Sequence, residues 1–407
     1  MINYRYKFSK LTAALAVVLL AGSLVGCGRS EELPRVVLHG EPIQPAVSSE
    51  TETAETENDL GDEELAEIAD PALRLNMIND SLVTNDGEHS FLTGKKMDPE
   101  QVKQRPLAVM LNNIKEGCPQ TGIAQAAVIY EAPVEGRITR LMGLFEDYDS
   151  IEKIGYVRSS RDYYVYCALE FDAIYAHFGQ ATPYVGALLN SDKVDNISGA
   201  VSGIDRPAAN TFLRTSARPA PHNVYVDKNG LLKDIEKMGY SLTYHDTHKE
   251  KFAFAEDGKK AENIGTETAV MLYPGGKESG KANGYSKIKA YFEYNEADGK
   301  YYRYQYGGKH IDESTGEQLA YDNVVFQYLN GEVRDENDYL IFGCHGNENM
   351  KVQVFNNGKM TEGTWARYAD TDPAYYMDAE GNPIEMNQGK TWICIIWNTY
   401  AEDVVIE

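Results

Sequence analysis

The chain has 407 residues, with 62 acidic against 39 basic side chains and a formal net charge of −23. An acidic excess of that size excludes a broad nucleic-acid surface, which needs a basic face. The roughly 300 residues beyond the N-terminal segments exceed the usual size of one domain, so two are expected.

Arg5, Lys7 and Lys10 lead into the apolar run LTAALAVVLLAGSLVG, Leu11 to Gly26. That run is shorter than the about 20 residues a helix needs to span a bilayer. A basic start and a short apolar core form the layout of a secretory signal, assigned to residues 1–26. The run closes on Leu24-Val25-Gly26-Cys27, which resembles the lipobox of bacterial lipoproteins. There a cysteine sulfur accepts a diacylglycerol, chemistry that needs a thiolate, and cleavage follows just before it. Cys27 is therefore expected as the first mature residue, its acyl chains (palmitate among them) holding the protein on the outer face of the cytoplasmic membrane. An ordinary cleavable signal with a chance cysteine is the alternative.

Residues 27–100 read as an acidic, disordered tether. The stretch VSSETETAETENDLGDEELAEIAD has few apolar side chains and many like charges, too little to offset the entropy of ordering. Like charges also extend a linker and keep it off an anionic surface.

Residues 101–245 mix strands and short helices. Arg105 to Leu111, bounded by Pro106 and Asn112-Asn113, predicts a buried strand. GIAQAAVIYEAPVEG opens as a short helix and turns into a strand near Ala127 to Ala132, and ITRLMGLFED predicts another strand. RDYYVYCALEFD predicts a helix and AIYAHFG a strand. The charged, turn-rich stretch 246–266 reads as a linker. Residues 267–407 read as a smaller, β-rich domain, from runs such as KIKAYFEYN, YYRYQY, NVVFQY, KVQVFNNGK and TWICIIW. Asn357-Gly358 and Asp298-Gly299 are hairpin signals. The class is α+β: a mixed α/β N-terminal domain followed by a smaller, β-rich C-terminal domain.

Seven of the fifteen arginines fall between Arg137 and Arg218. Arginine presents a planar fork that matches carboxylate and phosphate. Glu131, Glu135, Asp162 and Asp205 lie among them, so two readings compete: a network of internal ion pairs and a cleft for an anionic ligand. In VRSSRDYY, Ser159 followed by Asp162 fits a weak capping box, which starts a helix near Ser160 and leaves Arg158 just before its N–H groups. His177 closes an apolar strand before a glycine, and His222 lies in RPAPHNVY. With Glu131 or Glu135 either histidine has the chemistry of a general base, though strand-end histidines are more often packed and hydrogen-bonded. His245-x-x-His248 is a weak metal pair, and no metal or cofactor is expected. Neither GxSxG nor a P-loop occurs. Cys118, Cys167, Cys344 and Cys394 lack CxxC spacing, and burial as thiols or pairing as disulfides both stay open.

Together these stretches resemble the YerB-like lipoproteins of Gram-positive bacteria. The resemblance rests on RPLAVMLNN, PQTGIAQAAVIYE, VEGRITRL, KIGYVRSSRDYY, YAHFGQ and RPAPHNVY, then YDNVVFQY, VFNNGKMTEGTWAR and GNPIEMNQGKTWICII, in that order. It implies a two-part extracytoplasmic lipoprotein and fixes no reaction. Its motif positions are Asn112, Glu131, Glu135, Arg140, Arg158, Ser159, Arg161, His177 and His222. Arg137 stands where the family pattern has glycine, and Tyr156 where it has proline.

The first functional reading is a non-enzymatic, membrane-anchored lipoprotein binding an anionic envelope ligand, a wall glycan or a partner protein, through a Glu/Arg/His cleft of the N-terminal domain. The alternatives are a hydrolase or transferase on a cell-wall polymer, with Glu131, Glu135 and His177 as catalytic candidates and Arg140 and Arg158 stabilising charge, and a scaffold for envelope enzymes.

Overall fold

The computed structural model describes residues 87–407, apart from 200–202, 263–264, 266, 279, 282 and 345–346. The signal peptide, Cys27 and most of the tether lie outside the described residues. The tether ends earlier than expected, however. Leu92 is fully buried, the Ser90 hydroxyl bonds Glu146, and Asp98 caps the short helix Pro99–Val102 by accepting from the Glu100 N–H. One buried leucine and a satisfied helix start suffice to order residues the charge pattern alone assigns to a linker.

An eleven-stranded mixed sheet organises the body. From one side its path runs through Glu267–Thr268, Lys359–Arg367, Asn347–Asn356, Asn323–Leu329 and Thr391–Trp397. It continues through Val128–Val134, Ile138–Phe145, Leu107–Leu111, Ile174–His177 and Asn196–Ser198. The two halves of the chain join where Val128–Val134 runs parallel to Thr391–Trp397, with Val128 opposite Thr391 and Glu131 opposite Cys394. Both faces of the sheet are covered. Ala108, Met110, Val128, Tyr130 and Ala132 face one apolar cluster, and Leu107, Val109, Leu111 and Ile129 face the other. A strand buried on both sides reads as a continuous apolar run, which is why these strands are legible without alternation.

On the first face lie the helices Asp162–Leu169 and Thr182–Leu189 with the strand Leu340–Phe342. On the second lie the helix Lys228–Met238 and a six-stranded sheet built on Tyr291–Asn295 and Lys300–Gln305. In Lys300–Gln305 Tyr301, Arg303 and Gln305 point inward and the alternate residues are half-buried, the period-2 pattern of a one-sided sheet. Strand therefore far exceeds helix along the chain, and the expected mixed α/β character of the N-terminal part is carried by a few short helices.

Three local expectations change. KIKAYFEYN opens on the end of a helical turn, Tyr285–Ile288, and its strand begins only at Tyr291. Residues 246–266 are more than a linker: Phe252 and Phe254 are buried and Ala253–Phe254 pairs with Glu385–Met386. The Asp162–Leu169 helix starts two residues later than the serine pair suggests, with Arg161 as N-cap. The Ser160 hydroxyl is engaged instead with the Tyr175 hydroxyl at 2.9 Å. Asn357-Gly358 does form the expected hairpin turn, with φ of 54° and 72°, as a primed two-residue turn requires.

Arg137 occupies the loop between Val128–Val134 and Ile138–Phe145 with φ of 57°. Only glycine adopts that left-handed region freely, which gives the glycine expected there from the resemblance a physical reason. Arg137→Gly is expected to stabilise the protein by about 0.5–1 kcal/mol, read as a higher denaturation midpoint at unchanged slope. A midpoint that falls would show that the Arg137 side chain contributes more than its backbone costs.

Candidate functional site

Two glutamates lie deepest in the body. Glu131 is fully buried and its oxygens accept from Arg303 Nη2 at 2.8 and 3.0 Å, Trp392 Nε1 at 3.0 Å, Thr139 Oγ1 at 2.6 Å and Asn113 Nδ2 at 3.3 Å. Arg303 is stacked near Phe292 and Trp392, at 4.8 and 5.0 Å. Glu131 is thus no acid/base group at a surface; it is one half of a core ion pair that ties the first half of the chain to the second. Glu170 forms the second buried centre, accepting from Lys251 Nζ at 2.6 Å, Arg367 Nη1 at 3.2 Å and the Tyr130 hydroxyl at 3.1 Å. Burial pushes the Glu170 carboxyl up, but Lys251 and Arg367 outweigh it and hold it below its usual range. Glu170, Lys251, Arg303 and Arg367 carry no local sequence signal.

His177 is also enclosed. It is fully buried, with Nδ1 2.8 Å from the Gly179 carbonyl and Nε2 2.9 Å from the Asn196 side-chain oxygen. Burial lowers it to about 4, and the two acceptors pull the other way without overcoming that cost. A neutral imidazole has a single N–H to donate between these two oxygens, and inside the sheet it has no route to a substrate proton. The expected acid/base set of Glu131, Glu135 and His177 is therefore not assembled.

The arginines do converge. Glu135 follows Val128–Val134, Arg140 stands on Ile138–Phe145, and Arg158, Ser159 and Arg161 lead into the Asp162–Leu169 helix. Arg161 pairs with Glu135 through Nη2 and, at 3.1 Å, through Nε, and lies 5.0 Å over the Tyr339 ring. Arg140 sits 3.6 Å from the same carboxylate and donates to the Ser159 carbonyl at 2.9 Å. Burial brings Arg140 down to about 10, with Arg161 adding to it. Burial raises the Glu135 carboxyl, but Arg140 and Arg161 outweigh this and hold it low. Half-buried Arg158 donates to the Pro221 carbonyl at 3.5 Å, and burial with Arg161 beside it lowers its affinity for its proton.

On the other side of Arg158 stands His222, partly exposed, its Nδ1 accepting from Asn112 Nδ2 at 3.0 Å. Burial lowers His222 and Arg158 lowers it further. The corner thus gathers Glu135, Arg140, Arg158, Ser159 and Arg161, with Asn112 and His222 adjoining through Arg158. Two guanidinium groups contact one carboxylate and a third, that of Arg158, stands in their field, an excess of two positive charges in a strongly acidic protein. Asp162, expected inside the helix start as an alternative partner, is taken by Arg334 at 2.5 Å.

Tyr156, where the resemblance leads one to expect proline, donates its hydroxyl to Glu313 at 2.6 Å and carries Arg218 over its ring at 4.5 Å, contacts a proline would lack. Among the described residues no group of three or more His, Cys, Asp or Glu side chains has the arrangement of a metal site, and no helix is long and apolar enough to cross a membrane.

Comparison with known proteins identifies the fold and the family. Residues 92–241 match the N-terminal domain, and 281–393 the C-terminal domain, of the family described as "Protein of unknown function (DUF3048)". "Putative lipoprotein YerB" of Bacillus subtilis (strain 168) is 27% identical over 305 residues, covering 75% of this chain and 85% of that protein. The crystal structure of YerB protein from Bacillus subtilis aligns with a TM-score of 0.62 at 24% identity over 78% of this chain and 99% of that one, which shows a shared fold. With both domains matched in order, the chain belongs to the YerB-like family of DUF3048 proteins.

Proposed function

We propose that this protein is a lipid-anchored lipoprotein of the outer face of the cytoplasmic membrane, and that its arginine corner binds an anionic group, carboxylate or phosphate, of an envelope polymer or partner. The observation that supports binding is the charge imbalance: Arg140 and Arg161 share Glu135, and Arg158, under the influence of Arg161, donates to a carbonyl at 3.5 Å. A guanidinium fork with spare donors beside two others is suited to an incoming oxyanion, whose charge would offset their mutual repulsion. Glu135 competes with that anion and positions Arg161 for it. Lipid anchoring through Cys27 fits the name of the relative and the order of the N-terminal segments.

Arg158→Gln tests this reading. It should weaken binding of anionic wall fragments, measured by titration calorimetry at low salt, by about tenfold or more, since losing a charge-assisted bond costs about 1.5–3 kcal/mol. The thermal midpoint should hardly move, because Arg158 is half-buried and outside the core pairs. Equal affinity of the two proteins would remove Arg158 from the site, and a lost fold would make it a structural residue instead.

A further inference from the structure

Two of the four cysteines of the body meet. Cys167 lies on the buried side of the Asp162–Leu169 helix and Cys344 follows the Leu340–Phe342 strand; both are thiols, 3% and 4% exposed, within one apolar cluster. The two thiols lie near enough that Cys167 raises the affinity of Cys344 for its proton. Contacts on either side fix that meeting. One helical turn before Cys167, Tyr163 packs edge-on against Phe342 with ring centroids 5.1 Å apart. The chain turns at Gly343, where the Cys344 N–H donates to the Phe342 carbonyl at 2.9 Å, so Cys344 stays close to Phe342 just as Cys167 lies one helical turn, about 6 Å, beyond Tyr163. Arg367 then donates to the Cys344 carbonyl and to the Tyr166 carbonyl, both at 2.8 Å. One planar guanidinium thereby ties the backbone just before Cys167 to that of Cys344. The remaining cysteines face other groups: Cys118 lies 3.5 Å from Gln305 Nε2, and Cys394 stands opposite Glu131 in the sheet.

We propose that Cys167 and Cys344 are a modification site, closing in the exported protein as a disulfide that joins the N-terminal domain to the C-terminal domain. The proposal rests on the outer-face reading above, because a disulfide persists only in an oxidising compartment. The chemistry is two exchange steps. The thiolate of one cysteine attacks a disulfide oxidant, forming a mixed disulfide and releasing one thiol. The second cysteine then attacks the protein sulfur of that mixed disulfide and releases the other thiol. Two protons and two electrons leave the protein, and the oxidant's sulfur–sulfur bond is reduced. Glutathione disulfide serves as oxidant in vitro, and a thiol oxidase of the disulfide class fits that role in the cell. Neighbouring Cys167 and burial push the Cys344 thiol well up, so the folded core presents a poor nucleophile and closure belongs to folding, before the helix covers the strand.

The test uses the full lipoprotein, isolated from membranes after alkylation of free thiols in intact cells, and the same chain reduced, unfolded and refolded with glutathione disulfide. Tandem mass spectrometry should find one linked peptide pair containing Cys167 and Cys344 in both samples, with Cys118 and Cys394 alkylated. The thiol titre in denaturant should fall from four to two on oxidative refolding. Cys118→Ser, away from the pair, should keep the linked peptide and lower each titre by one. Alkylation of Cys167 and Cys344 without reductant in the refolded chain overturns the proposal, as does a bond that forms in vitro but is missing from cells. Export is scored separately by Cys27→Ala: release of that variant from the membrane supports the anchor whatever the state of the two thiols.

Discussion

Arg303→Met is expected to lower the unfolding free energy by about 3–5 kcal/mol, the cost of leaving a buried carboxylate without its cation. The size follows from the surroundings. Glu131 and Arg303 are both 0% exposed, and no solvent can replace the lost bonds. Trp392 and Thr139 would still donate to the carboxylate, but neither neutralises it. At about 2–4 °C per kcal/mol for a body of this size, the thermal midpoint should fall by roughly 10 °C. Replacing both partners by apolar residues, Glu131→Leu with Arg303→Met, should recover part of the loss, because a missing pair costs less than half a pair. Denaturant unfolding of the two variants and the parent settles it. A single variant within about 1 kcal/mol of the parent would mean that the carboxylate takes up a proton or water at little cost.

The same pair shows where the sequence stops being informative. Glu131 lies in an apolar run beside Pro133 and reads locally as a catalytic candidate; its partners Arg303 and Trp392 are 172 and 261 residues away. Nothing in local spacing points to them, and Arg303 lies outside the 137–218 enrichment altogether. The strands were legible for a simple reason: a sheet covered on both faces needs uninterrupted apolar residues, as in Leu107–Leu111. Their joining into one sheet was not, because parallel pairing of Val128–Val134 with Thr391–Trp397 depends on contacts across most of the chain. The helix start was misread because capping statistics ignore competition: Arg140 takes the Ser159 carbonyl and Tyr175 takes the Ser160 hydroxyl. His177 carried a warning in its own strand, since IYAH is buried at every position.

Acidification should destabilise the protein between pH 6.5 and 4, with histidine rather than carboxylate as the main source. His177 and His248 are held at about 4 and His310 well below its ordinary value, in each case first by burial. For His310 the nearby Arg303 adds to it. An unfolded histidine titrates near 6.5. A group depressed in the folded state contributes stability that is fully present above 6.5 and is lost as pH falls toward its folded value, because the unfolded chain takes the proton first. For His177 that window is worth roughly 3 kcal/mol, at about 1.4 kcal/mol per unit. Glu146 works against the histidines: burial lifts it to about 7, despite the Ser90 hydroxyl, so its contribution is present below the unfolded carboxylate range and fades as pH rises toward 7. Three histidines against one such carboxylate leave an excess of about two protons taken up on unfolding, or about 3 kcal/mol per pH unit near the middle of the window. Denaturant titrations at pH 7, 6, 5 and 4.5 measure that slope directly. His177→Gln should flatten it by about one proton, so that the gap between variant and parent narrows toward pH 4.5. A parent whose stability stays level across the window would show that these rings are solvated in the folded protein, and an unchanged slope in the variant would remove His177 from the set.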